Sequence, residues 1–351
     1  MTLIILILIL GVLIFVHELG HFIAAKWAGV YVHEFALGMG PKLFSFKRKN
    51  KKDPTLYSLR AFPIGGFCAM AGEVLDDEES KKIKKSELLC NKTKWQRFVI
   101  MFAGVFLNFV FALIILFFQS IIWGHVEQKA IVGSVPTGYP VEAAGIEVGD
   151  EVKAINGYKI KNWDKLTIVL NLKTKDNVYE FEVKKSDNQI KKYTIVPKIE
   201  TNAEGKETKT FGIGGSTKIY KGIIPSIKYA FTKLGSVMST MSFIIGSLFT
   251  GKLSLDSLSG PVGMYSVVGE SAKIGMEALL FLTAYLSINL GFVNAIPFPA
   301  FDGGRILFIL IEAITKKKVN QKVENMLHTI GFFLLMTLMV YITIRDIIKL
   351  F

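Results

Sequence analysis

Cysteine is almost missing: the 351 residues hold two, Cys68 and Cys90, and neither has a CxxC companion. That argues against a disulfide framework and against a cysteine metal site. Histidine is scarce as well, with five in the chain. The opening apolar segment lacks the basic stretch and small-residue cleavage site of a signal peptide. Its apolar run also outlasts the about 7–15 residues such a peptide uses. The segment therefore reads as a retained membrane helix. Acidic residues are outnumbered, 29 against 42 Lys and Arg, for a net charge of +13.

Apolar side chains are plentiful: hydrophobic residues make up 51% of the chain, and its mean hydropathy is +0.41. Four windows reach or approach the roughly 20 apolar residues needed to cross a bilayer: Met1–Ala25, Phe98–Trp123, Ala278–Ile296 and Ile330–Ile344. The composition predicts a polytopic α-helical membrane protein. Residues 26–97 carry 15 Lys/Arg against 8 Asp/Glu, and residues 305–329 carry Arg305, Lys316, Lys317, Lys318 and Lys322. The positive-inside rule places both stretches in the cytoplasm and residues 124–275 outside. The excess of positive charge then reflects topology and contact with anionic lipid, not nucleic-acid binding.

Within the outer stretch, residues 124–215 alternate short Val-, Ile-, Tyr- and Phe-rich runs with Gly, Asn and Asp, the pattern of short strands and turns. "YPVEAAGIEVGDEVKAINGYKI" resembles a PDZ domain. The resemblance implies a domain that binds peptide ends or extended strands at a sheet edge. Over 216–275 we expect a linker and one amphipathic helix, "PSIKYAFTKLGSVMSTMSFIIGSLFTG", lying on the outer membrane surface.

The chemistry is concentrated in "LIFVHELGHFIAA", residues 13–25. Charged groups deep in a bilayer cost at least a few kcal/mol, so their presence calls for a compensating partner. His17-Glu18-Leu19-Gly20-His21 is HExxH: on a helix the two histidines share a face and can reach one ion, with Glu18 beside them to activate water. Catalytic zinc usually takes three protein ligands. His33 reads as an exposed loop histidine, and His125 and His328 have no acidic companion at a useful spacing. Asp302 is the better candidate. It lies in "GFVNAIPFPAFDGGRILF", residues 291–308, where Pro297 and Pro299 break the helix. Irregular backbone at membrane depth is tolerated where it lines a protein-buried or wet cavity. The competing role for Asp302 is as the cap of a following helix.

Together, HExxH in the first membrane helix, NxxPxPxxDGG after the third and an exterior PDZ module resemble the site-2 protease family of intramembrane zinc metalloproteases, most closely the bacterial regulator-of-sigma type with one PDZ domain. "GMGPKLFSF" and "TLYSLRAFPIGGFCAMAGE" resemble its membrane-associated β-hairpin loop, "LSGPVGM" the segment before its third helix, and "GVFLN" (104–108) its GxxxN element. Phe301 stands where the family usually has leucine. The resemblance implies that His17, His21 and Asp302 bind Zn2+ and that Glu18 is the catalytic base. It also puts Asn294, Pro297 and Pro299 at the substrate.

The implied arrangement is helix one over 1–25, the β-loop region over 26–97 and helix two over 98–123. The PDZ domain (124–215), the surface helix and linker (216–275), helix three with its DG segment (276–304), a cytoplasmic loop (305–329) and helix four (330–351) complete it. The implied activity is cleavage of single-span membrane proteins, anti-sigma factors and signal-peptide remnants among them, in a bacterial plasma membrane. A peptide is a possible occupant of the PDZ groove. Two other classes compete: a non-catalytic PDZ scaffold with a structural metal, and a metal transporter, which would need more polar residues along its helices than segments one and two contain.

Overall fold

The computed structural model describes residues 1–47, 54–73, 82–172, 177–201, 207–253 and 260–348. Along the chain, α1 (Thr2–Trp27) leads into β1 (Val32–Lys47), β2 (Leu56–Met70) and α2 (Lys94–Ile122). Then come β3 (His125–Val126), β4 (Val132–Ser134), α3 (Pro140–Ala143), β5 (Glu151–Ile155), β6 (Tyr158–Lys159) and α4 (Trp163–Leu170). Strands β7 (Tyr179–Lys184), β8 (Ile190–Ile195), β9 (Lys198–Thr201), β10 (Glu207–Thr210), β11 (Gly214–Gly215) and β12 (Ile219–Tyr220) precede α5 (Ile223–Phe249). The chain closes with α6 (Pro261–Ile274), α7 (Met276–Ala295), α8 (Asp302–Thr315) and α9 (Gln321–Ile348). It divides into two units: Met1–Ile115 with Leu258–Phe351, and Leu116–Ser257.

In the first unit, α1 packs against the β1/β2 sheet, α6 and α7, while α9 packs against α6 and α8. Four helices among the described residues are long and apolar enough to cross a membrane: α1, α2, α7 and most of α9. This is a multi-pass membrane protein. The stretches "GMGPKLFSF" and "TLYSLRAFPIGGFCAMAGE" fall within β1 and largely within β2, which pair antiparallel in doubled form. Phe35 pairs with Cys68 on one side and Tyr57 on the other, and Tyr57 pairs in turn with Phe46. The two long strands therefore bend back on themselves into four rows, with Gly66–Met70 at one edge and Lys42–Lys47 at the other. Gly38 makes one bend, at φ +87°, a conformation that costs a residue with a side chain but not glycine.

Two stretches expected as connections are helical. The segment 305–329 contains most of α8, and 216–275 contains α6 as well as α5. In α8 the apolar residues recur at helical spacing, and the chain leaves the helix at Lys316, φ +58°. Most of the lysines that mark 305–329 as a polar loop lie beyond that point. "LSGPVGM" starts in residues outside the described ones. From Gly260 onward it caps α6, because the N–H groups of Gly260 and Gly263 donate to Asp346 Oδ2 of α9 at 2.7 and 3.4 Å, an anion at a helix N-terminus.

The second unit is built on a four-stranded antiparallel sheet in the order β6-β5-β7-β8. Asn156-Gly157, both at positive φ, turn β5 into β6, as an Asn-Gly pair flanked by strand residues predicts. Val152, Ile155, Leu166, Val169, Tyr179, Phe181, Val183 and Phe211 fill its core, and Phe243, Ile244 and Leu248 of α5 pack onto it. The helix expected to be amphipathic is so with its polar side inward. Ser226, Lys233, Ser236 and Thr240 are buried, whereas Ile223, Ile224, Phe231 and Phe249 are exposed.

Candidate metal centre

His17 and His21 project one turn apart from α1 and are both buried. Asp302 is the first residue of α8, directly after the turn made by Pro297–Phe301, and it caps nothing with its side chain. Its Oδ2 lies 3.1 Å from His17 Nε2 and 3.2 Å from His21 Nε2, and the two Nε2 atoms are 3.3 Å apart. A tetrahedral ion with bonds of about 2.0–2.1 Å holds its ligands roughly 3.3–3.4 Å apart. The three atoms thus stand nearly at the spacing of a coordination shell. Despite that crowding, Oδ2 is buried with no hydrogen bond of acceptable geometry. A buried carboxylate oxygen without a hydrogen bond is costly, and a cation between these atoms removes the cost. The residues present fit a zinc ion.

The neighbours of the cluster set the imidazoles for that role. His21 Nδ1 donates to the Ile100 carbonyl at 2.8 Å, so its Nε2 lone pair is free. His17 Nδ1 lies 3.1 Å from the side-chain amide of Asn108, while Asn108 Oδ1 is buried and unpartnered. Exchanging the amide's nitrogen and oxygen, which have the same outline, lets Oδ1 accept from Nδ1–H and frees His17 Nε2 as well. Asn108 is held in turn by α7, where Ser287 Oγ donates to its backbone carbonyl at 2.8 Å.

Space at the cluster comes from close helix crossing. A Cβ on Gly20 of α1 would stand 2.3 Å from Ala103 O of α2, and one on Gly104 would stand 2.4 Å from His21 Nε2. Any side chain at 104 would enter the ligand cluster. Glu18 is half-buried, and its stem runs beside Gly66 on the sheet edge, where a Cβ would be 3.7 Å from Glu18 Cγ. Arg305, one turn beyond Asp302, pairs with Glu73, just past the end of that edge strand.

The structure thus brings His17, His21 and Asp302 together from residues 281 positions apart. Asn294 sits half-buried in the last turn of α7, and its side chain makes no hydrogen bond with any described residue; Pro297 is exposed and Pro299 half-buried. His33 lies in β1 with its ring 5.1 Å from Tyr31, not in a loop. The sequence offered Asn108 as the end of a GxxxN element but did not mark it as the partner of His17. The signal was there in part: GxxxN places Asn108 on the same helix face as Gly104.

An HExxH helix inside an apolar bundle defines a class, the membrane-embedded metallopeptidases. This chain belongs to peptidase family M50, whose model matches residues 5–338, and with it to the site-2 protease group of intramembrane zinc metalloproteases. A Clostridium perfringens protein, provisionally named a zinc metalloprotease, is 39% identical over 96% of this chain and 95% of its own. The zinc metalloprotease RasP of Bacillus licheniformis is 32% identical over 100% of this chain and 99% of its own. The regulator of sigma-W protease RasP of Bacillus subtilis is 31% identical with the same coverage.

Proposed function

We propose that the protein cuts single-span membrane proteins within or beside their membrane segment, with His17, His21 and Asp302 holding the zinc and Glu18 as the catalytic base. The observation that carries this is the convergence of three ligand atoms on one point while the carboxylate oxygen among them has no hydrogen bond. The chemistry that zinc supplies when bound is Lewis-acid chemistry: a water made acidic near neutrality and a polarised scissile carbonyl. Glu18 takes the proton from the attacking water and delivers it to the leaving amine. Asn108 and Ile100 hold the imidazoles in the ligating tautomer, and Gly104 keeps the approach open.

A helix hides its carbonyls in its own hydrogen bonds, so the substrate must be extended at the point of cleavage. The sheet edge Gly66–Met70 passes Glu18 and offers backbone groups to an added strand. Asn294, Pro297 and Pro299, just before Asp302 in the chain, are the further residues we assign to the substrate. Exposed Leu43, Phe44, Phe46 and Phe62 of the sheet suit a surface dipped into the membrane. We place the two Lys/Arg-rich stretches in the cytoplasm of a bacterial cell and the second unit outside, in the role of a PDZ module that filters substrates or holds a peptide end between Phe211–Gly214 and Leu170. The regulator-of-sigma name of one relative makes a membrane-bound anti-sigma factor the first substrate to try.

The test is cleavage of a purified single-span substrate in detergent by wild type, Glu18→Gln and Asp302→Ala, with zinc content measured in each. Only the wild type should cleave, and Glu18→Gln should keep its zinc. Equal cleavage by all three would overturn the assignment, and a wild type without zinc would overturn the ligand set.

A further inference from the structure

Asp302 is only as well placed as the turn before it. That turn is awkward: Pro297 and Pro299 have no N–H to give, and Ala300 sits at φ +86°, a region that residues with a side chain avoid. Such a conformation persists when its surroundings over-determine it. Within the turn, Phe298 N–H donates to Ile296 O at 2.7 Å, Phe301 N–H to Phe298 O at 3.2 Å and Gly304 N–H to Phe301 O at 3.0 Å. The Ala300 N–H, at the strained position itself, goes elsewhere.

It goes to α9. His328 Nδ1 accepts from Ala300 N–H at 3.0 Å. Three residues on, and so on the same face of α9, Gly331 lies against the turn so closely that a Cβ there would be 2.4 Å from Pro299 O. An accepting Nδ1 puts the ring proton on Nε2, which is buried and without a hydrogen bond. Leaving a buried N–H unsatisfied is unfavourable, and here it follows from giving Nδ1 to Ala300. The Phe308 ring, 5.9 Å away, borders the imidazole from α8. None of these contacts touches the ligand cluster, and none has a part in the proton transfers of Glu18.

We infer that His328 is a positioning residue: with Gly331 it pins the Pro297–Phe301 turn from α9 and so sets Asp302 at the point where His17 and His21 converge. This rests on the reading of Asp302 as a zinc ligand.

The experiment uses the full-length protein, stripped with a chelator and titrated with zinc against a chromogenic competitor. Asparagine places its Oδ1 where His Nδ1 stands, whereas glutamine reaches toward the Nε2 position. His328→Asn should therefore bind zinc like wild type. His328→Gln, His328→Leu and Gly331→Ala should lose about 10–100-fold in zinc affinity, the usual effect of removing an outer-shell support. Cleavage at limiting zinc should show a lower kcat with KM retained. Wild-type zinc affinity in a folded His328→Leu, or equal behaviour of the Asn and Gln variants, would overturn the inference. Asp302→Ala separates the two readings. If it keeps its zinc, the ligand reading itself fails. If it loses zinc while His328→Leu does not, only the role of His328 fails.

Discussion

In α1, His17 and His21 are buried against each other and against Asp302, and the carboxylate oxygen they surround has no hydrogen bond. In α5, Lys233 is buried too, but its Nζ lies 2.8 and 2.9 Å from the two oxygens of Asp164, which also accepts from Ser236 Oγ. Near the start of that helix, Ser226 takes a hydrogen bond from Ser120, whose Oγ is 2.6 Å from His125 Nδ1. Both helices bring polar groups into apolar surroundings. One closes its hydrogen-bond account internally, Thr240 excepted, and fastens α5 to α4; the other leaves Asp302 Oδ2 and Asn108 Oδ1 without partners. A closed polar cluster adds rigidity, whereas an open one is held for something that is not part of the chain.

The difference can be broken from either side. Glu18→Gln should cost most, roughly 10²–10⁴-fold in cleavage rate, the usual contribution of a general base, while zinc stays bound. Proteolysis assays with metal analysis check both halves. Gly104→Ala comes next. Its methyl must displace His21 Nε2, so zinc is lost at equal folded content, measurable by competition titration. Asn108→Ala removes the partner of His17 and should weaken zinc binding by about 10–100-fold, with the helical circular dichroism unchanged. Lys233→Ala should leave cleavage per folded molecule intact. It uncovers Asp164 instead, and thermal unfolding should report a loss of about 1–3 kcal/mol.

The smallest effect is expected at Glu34, where burial opposes the charge but hydrogen bonds from Ser58, Arg60 and Lys42 prevail and hold the carboxylate below its ordinary 4.5. Because the folded value is the depressed one, its stabilisation is complete above 4.5 and fades as pH falls further. Glu34→Gln should remove that acid sensitivity from the unfolding curve of the sheet.

Most of the open cluster was visible in the residues, and the closed one was not. HExxH is a local pattern, so a helix alone places its two histidines together. Asp302 stood out because two prolines and two glycines surround an acid at membrane depth. The doubled sheet could not be read in advance, since it depends on pairings across dozens of residues, whereas α8 was legible in part: its apolar residues recur at helical spacing. The same holds for α5, whose periodicity was legible but whose inward-facing polar side depends on Asp164 and Ser120 arriving from elsewhere.

Composition and spacing by themselves determined that the chain crosses a membrane, that His17 and His21 share one face of a helix, and that a β-rich module follows the second helix. These are short-range matters of hydropathy and helical period. Tertiary structure alone brought Asp302 Oδ2 within 3.2 Å of both histidine Nε2 atoms, set Asn108 against His17 and joined His328 of α9 to the turn before Asp302. Contacts across 28 to 285 residues are selected by packing, and only a folded bundle can bring such distant atoms within 3 Å or so of each other.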